Sequence, residues 1–172
     1  MLLVLFYFIR CDSLTFENKE NLTQSMVKEE MNGKENINDI IIKNISVIGF
    51  QAFYRCSSLI SISFQEPLIL TTIKGSAFSE CTELKSISIP YSVQIIESSA
   101  FQKCSSLTSI SFQEPSNLTT IEWCAFQKCM VLKSISIPSS VLSYIMRFFQ
   151  WCVSKSGALI QFHPTFCIKF NF

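Results

Sequence analysis

Apolar residues recur at fixed offsets through most of the chain, in segments that read I-x-x-x-A-F-x-x-C-x-x-L-x-x-I-x-[I/F] with a proline close behind. Successive phenylalanines are separated by 25, 23 and 25 residues, so the full period is a pair of units 48 residues long. Such a repeat indicates a solenoid, because each unit has one apolar side that only a neighbouring unit can cover. The strictest columns are Phe53, Phe78, Phe101 and Phe126; Ala52, Ala77, Ala100 and Ala125; Cys56, Cys81, Cys104 and Cys129; and Leu59, Leu84, Leu107 and Leu132.

The part of each unit that follows the cysteine predicts a β-strand. In the stretch LKSISIP, Ile87 and Ile89 alternate with serines, as in a strand with one buried face. The strands should lie parallel and in register, and Pro90 ends its strand because proline lacks a backbone donor. The short A-F-x-x-C segment favours a single helical or 3₁₀ turn. The predicted fold is an α/β solenoid with one parallel β-sheet and short helical or 3₁₀ turns on the opposite side.

The regular repeats predict a domain over residues 37–141. It begins with half a repeat, in which Ile41, Ile45 and Ile48 take the strand and return positions without a preceding A-F-x-x-C segment. Four full units follow.

Residues 142–172 are predicted to form a degenerate fifth repeat and an aromatic C-terminal tail. Phe149 and Cys152 keep the phase of the earlier columns, but Lys155 stands where a leucine belongs. Two interpretations remain open for this part: an irregular cap or truncated end, or a docking patch for a partner.

The N-terminal part divides into two segments. Residues 1–11 are apolar, and Leu2 to Ile9 is long enough for the core of a secretory signal, although no basic residue precedes it and no clear cleavage site follows. The alternative is an N-terminal strand or cap over the first repeat. Residues 12–36 are rich in charge and weak in apolar periodicity, which fits either a polar cap helix or a flexible segment and favours partial disorder.

The repeat pattern resembles that of the BspA-like leucine-rich repeat proteins, over roughly Ile41 to Val141. The resemblance implies an arc-shaped leucine-rich repeat fold with a parallel sheet on the concave side. It also implies a role in adhesion or protein binding at a cell surface, and hence a surface or secreted location. A cytoplasmic location also fits the residues themselves.

Serines alternate with the buried residues of every predicted strand and form the candidate ligand-binding surface. Neighbouring strands lie about 4.8 Å apart, so two columns of hydroxyls should form a flat, uncharged, hydrogen-bonding strip that suits a protein or glycan. The alternative is a solvated sheet face that was copied with the repeat. The serines are Ser61, Ser63, Ser86, Ser88, Ser109, Ser111, Ser134 and Ser136.

Charged residues recur at the borders of the strands. Glu66 and Glu114 belong to the two longer units, and Lys85 and Lys133 to the two shorter ones. Exposed charges of this kind add little stability and either are simply solvated or tune the choice of partner.

Eight cysteines are present, but none lies in a C-x-x-C pair and the only histidine is His163, outside the repeats. A zinc site is therefore not expected, and a column of buried free thiols is. The state of the off-column cysteines stays open: Cys11, Cys124, Cys152 and Cys167. The sequons at Asn21, Asn44 and Asn117 are glycosylation acceptors only if the chain enters a secretory pathway.

Composition argues against several classes of function. A net charge of +1 provides no field that would gather nucleic acid, and no stretch is long and apolar enough to span a bilayer. The repeats hold no histidine, no aspartate after Asp39 and no glycine-rich phosphate loop, so neither an enzyme nor a cofactor or metal site is expected.

Two hypotheses follow. The first is a non-catalytic leucine-rich repeat module that presents its sheet to a protein or glycan. The second is a structural or assembly fragment that stacks on further repeats or on another copy through the ends of the solenoid.

Overall fold

The computed structural model describes residues 13–32, 37–141 and 159–162. Within these ranges eleven elements follow one another, and all but one are strands. They are β1 (Ser13–Leu22), α1 (Gln24–Met31), β2 (Asp39–Ile48), β3 (Ser61–Gln65), β4 (Thr72–Ile73), β5 (Ser86–Ile89), β6 (Ile95–Ile96), β7 (Ser109–Phe112), β8 (Thr120–Ile121), β9 (Ser134–Ile137) and β10 (Leu159–Phe162). Among the described residues no helix is long and apolar enough to cross a membrane.

Every strand pair is parallel and in register, as the sequence predicted. The main sheet has the order β7-β5-β3-β2-β4-β6-β8, with β1 paired to β2, while β9 and β10 form a second parallel pair. The start of β2 pairs with β3 and its end pairs with β4, so β2 joins two ladders. We call β2-β3-β5-β7 the long ladder and β2-β4-β6-β8 the short ladder. We call one turn of the solenoid a rung. The three rungs after β2 each contribute one strand to each ladder, as β3 with β4, β5 with β6 and β7 with β8.

The A-F-x-x-C segments turn the chain as expected, but their hydrogen bonds form a third ladder rather than a continuous 3₁₀ helix. Within one segment, Ala77 and Ser79 donate to carbonyls three residues back, at 3.2 and 3.1 Å. The amides between them donate to the next rung instead: Ser76 to Ser98 at 3.0 Å and Phe78 to Ala100 at 2.7 Å. Half of the amides therefore close the local turn and half hold the neighbouring rung.

This alternation requires left-handed backbone conformations at two positions per rung. Ser76 and Glu80 have φ values of 55° and 62°. The same conformation recurs in every full unit, at Gln51, Arg55, Ser99, Lys103, Cys124 and Lys128. Such residues cost roughly 1–2 kcal/mol each outside glycine, so the bonds to the next rung must compensate.

The phenylalanine column forms a continuous stack through the core. The ring centroids of Phe53 and Phe78 lie 5.1 Å apart at 3°, those of Phe78 and Phe101 5.2 Å apart at 13°, and those of Phe101 and Phe126 5.4 Å apart at 16°. All four rings are fully buried. The prediction of stacked, matching phenylalanines is confirmed.

Residues 13–32 differ from the partly disordered segment that their composition favoured. They form β1 and α1, and they bury Leu14, Phe16, Leu22 and Val27. Phe16 meets Phe53 edge to face at 5.7 Å, which extends the aromatic stack by one rung. The physical reason is that the charged residues of this segment point outward, so its few apolar residues suffice to cover the next rung.

The half repeat is shifted by one residue from its expected alignment. Ile42 pairs with Phe64 and Ile40 with Ile62, and these two isoleucines are buried whereas Ile41 faces outward. A one-residue shift moves a strand's side chains to the opposite face. The alignment expected from the sequence was wrong because fewer residues connect the long ladder to the short ladder in this rung than in the later ones.

At the C-terminal end, β10 pairs with β9 at an offset of 25 residues, with Leu159 opposite Ser134. The predicted phase set by Phe149 and Cys152 lies outside the described residues, as do the segments 1–12, 33–36 and 163–172. The signal or cap prediction for Leu2 to Ile9 and the states of Cys11, Cys152 and Cys167 therefore stay predictions.

The column cysteines are free thiols that bond to the preceding rung. The thiols of Cys81, Cys104 and Cys129 are buried and donate to the carbonyls of Phe53, Phe78 and Phe101, at 3.2, 3.1 and 3.2 Å. Cys56 is only partly buried and lies 3.8 Å from the Met31 sulfur under α1. The off-column Cys124 is also buried.

Burial makes these thiols unreactive. It raises the pKa of Cys56 to about 11 and that of Cys129 to about 12, from an ordinary value of 9.0, and it raises the pKa of Cys81 and Cys104 as well. Because the thiolate is the nucleophile, all four should be almost entirely protonated at neutral pH.

We expect iodoacetamide to leave Cys81, Cys104 and Cys129 unmodified in the folded protein, while Cys56 reacts first among the four. Peptide mass spectrometry after timed labelling measures each site, and labelling in urea is the control that should modify all four at similar rates. Native labelling of the three buried thiols as fast as in urea would contradict the structure.

Candidate functional site

All eight candidate serines lie on one surface, the outward side of β3, β5, β7 and β9, which we call the serine face. Register places Ser61 opposite Ser86, Ser86 opposite Ser109, and Ser88 opposite Ser111. Seven of the eight are exposed. The exception is Ser61, which is half-buried because its hydroxyl donates to the Asp39 carboxylate.

The geometry of this surface follows from the two periodicities of a sheet. Neighbouring hydroxyls along a column lie about 4.8 Å apart, and the two columns are separated by two residues of strand, about 6.6 Å. Isoleucines between the serines, such as Ile87 and Ile110, point into the core and fix this orientation. The face continues onto β2 as Asp39 and Ile41, so the uncharged strip ends there.

An aromatic border follows the serine face where the strands end. Phe64 and Phe112 are only partly buried, and Tyr91, on the rung between them, is 38% exposed. The sequence pattern had assigned the two phenylalanines to the core column of Ile89 and Ile137, which are indeed buried. The larger rings of Phe64 and Phe112 pack against the same core but are not fully covered, so the assignment holds in part for them.

The recurrent glutamates at this border have a local role. The Glu66 carboxylate accepts the Leu68 amide at 3.0 Å, and the Glu114 carboxylate accepts the Ser116 amide at 3.0 Å. Each carboxylate thus stabilises the turn that follows its strand. Both side chains remain exposed, as the sequence predicted for a charged border.

At the opposite border, where the chain enters the strands, charged residues gather in a second surface. Glu80 lies between Arg55 at 2.8 Å and Lys103 at 2.5 Å, and hydrogen bonds from Lys103 and Arg55 lower the pKa of its carboxyl. These three residues, with Ser57 and Thr82, line a shallow groove of about 610 Å³. This groove was not predicted from the sequence because its residues come from three different rungs.

A smaller cleft of about 390 Å³ lies between α1 and the first turn. Its lining includes Val27, Met31, Tyr54 and the half-buried Cys56. Within the described ranges, no three His, Cys, Asp or Glu side chains are placed to hold a metal ion.

Comparison with known proteins places the repeats in a defined family. The family model for the BspA type leucine rich repeat region matches residues 24–155 in six copies. The comparison with curated proteins finds no match.

Two solved structures resemble this fold. A leucine-rich repeat protein from Bacteroides ovatus is 27% identical over 74% of this chain and 30% of its own, with a TM-score of 0.60. The pneumococcal vaccine antigen PcpA is 30% identical over 60% of this chain and 25% of its own, with a TM-score of 0.58. The chain thus spans less than a third of the length of either protein.

The matched residues include the four full units, the rung formed by β2 and residues 142–155 of the degenerate fifth repeat. The parallel-sheet solenoid agrees with the fold of these leucine-rich repeat proteins. The chain therefore belongs to the BspA-type leucine-rich repeat family.

Proposed function

We propose that this chain is a non-catalytic binding module of an adhesive surface protein, and that its serine face is the contact for a protein or glycan. The observation that carries the proposal is the pair of register-aligned hydroxyl columns beside a partly exposed aromatic border. Hydroxyls can both donate and accept, so they can match the hydrogen-bonding groups of a sugar or a peptide backbone.

The aromatic border adds binding free energy to what the hydroxyls alone contribute. A hydroxyl in water already has hydrogen-bond partners, so exchanging them for a ligand yields only about 0.5–1.5 kcal/mol per bond. Aromatic side chains contribute more per residue and dominate many binding interfaces. Tyr91 is the exposed ring of this border, whereas Phe64 and Phe112 lie on the core side of their strands and offer a ligand only the uncovered part of their rings.

A cell-surface or secreted location is part of this proposal. It is supported by the family, and the apolar segment Leu2 to Ile9 is consistent with export. The buried thiols are compatible with this location because each is enclosed in the core and none requires a disulfide partner for packing.

A second candidate function is assembly through the ends of the solenoid. The observation that favours it is β1, a ten-residue strand whose only paired strand among the described residues is β2. Its other edge can accept a further parallel strand.

For the serine face, we expect Ser88→Arg with Ser111→Arg to weaken binding at least about tenfold, because two large charged side chains would block two adjacent rungs. A panel of immobilised glycans and purified surface proteins, screened first with the unaltered chain, provides the ligand. Gln94→Arg with Asn117→Arg is the matched control, since it adds the same charge on the same two rungs at exposed sites outside the face. Equal binding by both variants would exclude the serine face as the contact.

For the second candidate, light scattering of the purified chain over a wide concentration range should show a mass that rises with concentration. The expected oligomers lengthen one chain at a time. The two ends of a solenoid differ, so they make a head-to-tail contact that leaves an end open for the next chain. A monomer at the highest concentration would rule out assembly through the ends.

A further inference from the structure

Positive and negative residues are interspersed along the sequence, but the fold places them on different parts of the surface. The chain enters each strand of the long ladder along one border of the sheet and leaves it along the other. We call residues 55–60, 80–85, 103–108 and 128–133, which lead into the long ladder or β9, the basic edge. We call residues 65–74, 90–97 and 113–122, which leave the long ladder and continue through the short ladder, the acidic edge. The basic edge carries five cations and two carboxylates, a net charge of +3, whereas the acidic edge carries one cation and four carboxylates, a net charge of −3.

The two edges cancel in the whole chain, which is why the net charge of +1 gave no sign of a partner. The cations of the basic edge are Arg55, Lys85, Lys103, Lys128 and Lys133, and its carboxylates are Glu80 and Glu83. All five cations are exposed.

Backbone hydrogen bonds hold the basic edge in columns. The Arg55 amide donates to Ser79 at 3.0 Å, and the Lys103 amide donates to Gln127 at 2.8 Å. The Lys85 amide donates to Ile60 at 3.1 Å, and Lys85 in turn accepts the Thr108 amide at 2.9 Å. Every one of the four rungs contributes at least one cation, so positive charges follow the solenoid axis at about 4.8 Å per rung.

The carboxylates do not neutralise this edge. Glu80 is already shared by Arg55 and Lys103, so it compensates one of two charges. In the part of the chain that the structure describes, Lys85, Lys128 and Lys133 belong to no ion pair. Three cations are thus available to an external anion.

Hydroxyls accompany the cations on this edge. Ser57 and Thr82 line the groove beside Arg55, Glu80 and Lys103, and the exposed Ser105 follows on the next rung. The groove is long and shallow, because it crosses three rungs without a deep cavity. This shape suits a linear polymer better than a compact small molecule.

We propose that the basic edge binds an acidic polysaccharide, with its carboxylate groups at the lysines and its hydroxyls at the serines and threonines of the groove. A polymer with one charge per sugar matches a surface with about one cation per rung. The proposal concerns a surface separate from the serine face and does not depend on it.

Other polyanions fit this edge less well. Nucleic acid carries a charge every 3.4 Å along each strand, and the two interspersed carboxylates would repel so dense an array. An acidic protein partner would be expected to use aromatic anchors, yet the first three rungs of this edge present hydroxyls and charges. Only the fourth rung adds apolar residues, the exposed Met130 and Val131.

The test measures binding of the full chain to polygalacturonate by biolayer interferometry at low ionic strength, with dextran as the neutral control polymer. We expect binding to polygalacturonate and none to dextran, and we expect the affinity to fall as salt is added, because exposed charges are screened within about 8 Å at physiological ionic strength. Single-stranded oligothymidylate and polyglutamate serve as competing polyanions and should bind more weakly.

The variant Lys85→Gln, Lys128→Gln, Lys133→Gln should weaken binding to polygalacturonate about tenfold, as expected for three exposed charge contacts. Its matched control is Lys19→Gln, Lys43→Gln, Lys74→Gln, which removes the same charge from lysines away from the basic edge and should bind as the unaltered chain does. Circular dichroism verifies that both variants keep the fold.

Absence of binding to polygalacturonate would overturn the proposal, and so would an equal loss in the two variants. Tighter binding of oligothymidylate or polyglutamate would assign the basic edge to a different class of partner and would also overturn it.

Discussion

Contact between neighbouring rungs is the interaction on which this structure depends. Each rung has an apolar side formed by one phenylalanine, one alanine, one cysteine and the inward residues of a short strand, and that side is covered only by the next rung. The phenylalanine rings stack at 5.1 to 5.4 Å, and the thiols bond to carbonyls of the preceding rung. The backbone repeats the same dependence, since the long ladder, the short ladder and the turns all hydrogen-bond between rungs. The hydrogen bonds between rungs compensate for the free-energy cost of the left-handed backbone conformations in the turns.

Stacking also decides what the surface can do. In each rung, the side chains next to an inward-pointing residue point outward. Because every rung repeats this pattern, the surface residues form columns. Uncharged hydroxyls form such columns on the serine face, cations along one border of the sheet and carboxylates along the other. A solenoid of this kind offers a partner a periodic surface instead of a single deep pocket. The shallow grooves of the described residues agree with extended ligands.

The sequence predicted the columns, the parallel register and the stacked core because these follow from spacing alone. It did not predict the first rung, since Leu14 and Phe16 pair with Ile40 and Ile42 at an offset of 26 residues and stand among charged neighbours. The one-residue shift at Ile41 was also missed, because spacing between motifs does not reveal how many residues connect two ladders. The incomplete burial of Phe64 and Phe112 depends on how neighbouring rungs cover their rings, and the separation of charge depends on which loops share a border. Both are properties of the assembled solenoid.

A double-mutant cycle on the phenylalanine stack tests the central claim most directly. Urea unfolding would be measured for Phe78→Leu, Phe101→Leu and the double variant, and in parallel for Phe53→Leu, Phe126→Leu and their double variant. If rungs stabilise one another by direct contact, the adjacent pair should couple by about 0.5–1.5 kcal/mol. The pair three rungs apart should be additive within about 0.5 kcal/mol. Additivity in the adjacent pair, or equal coupling in both pairs, would contradict the account.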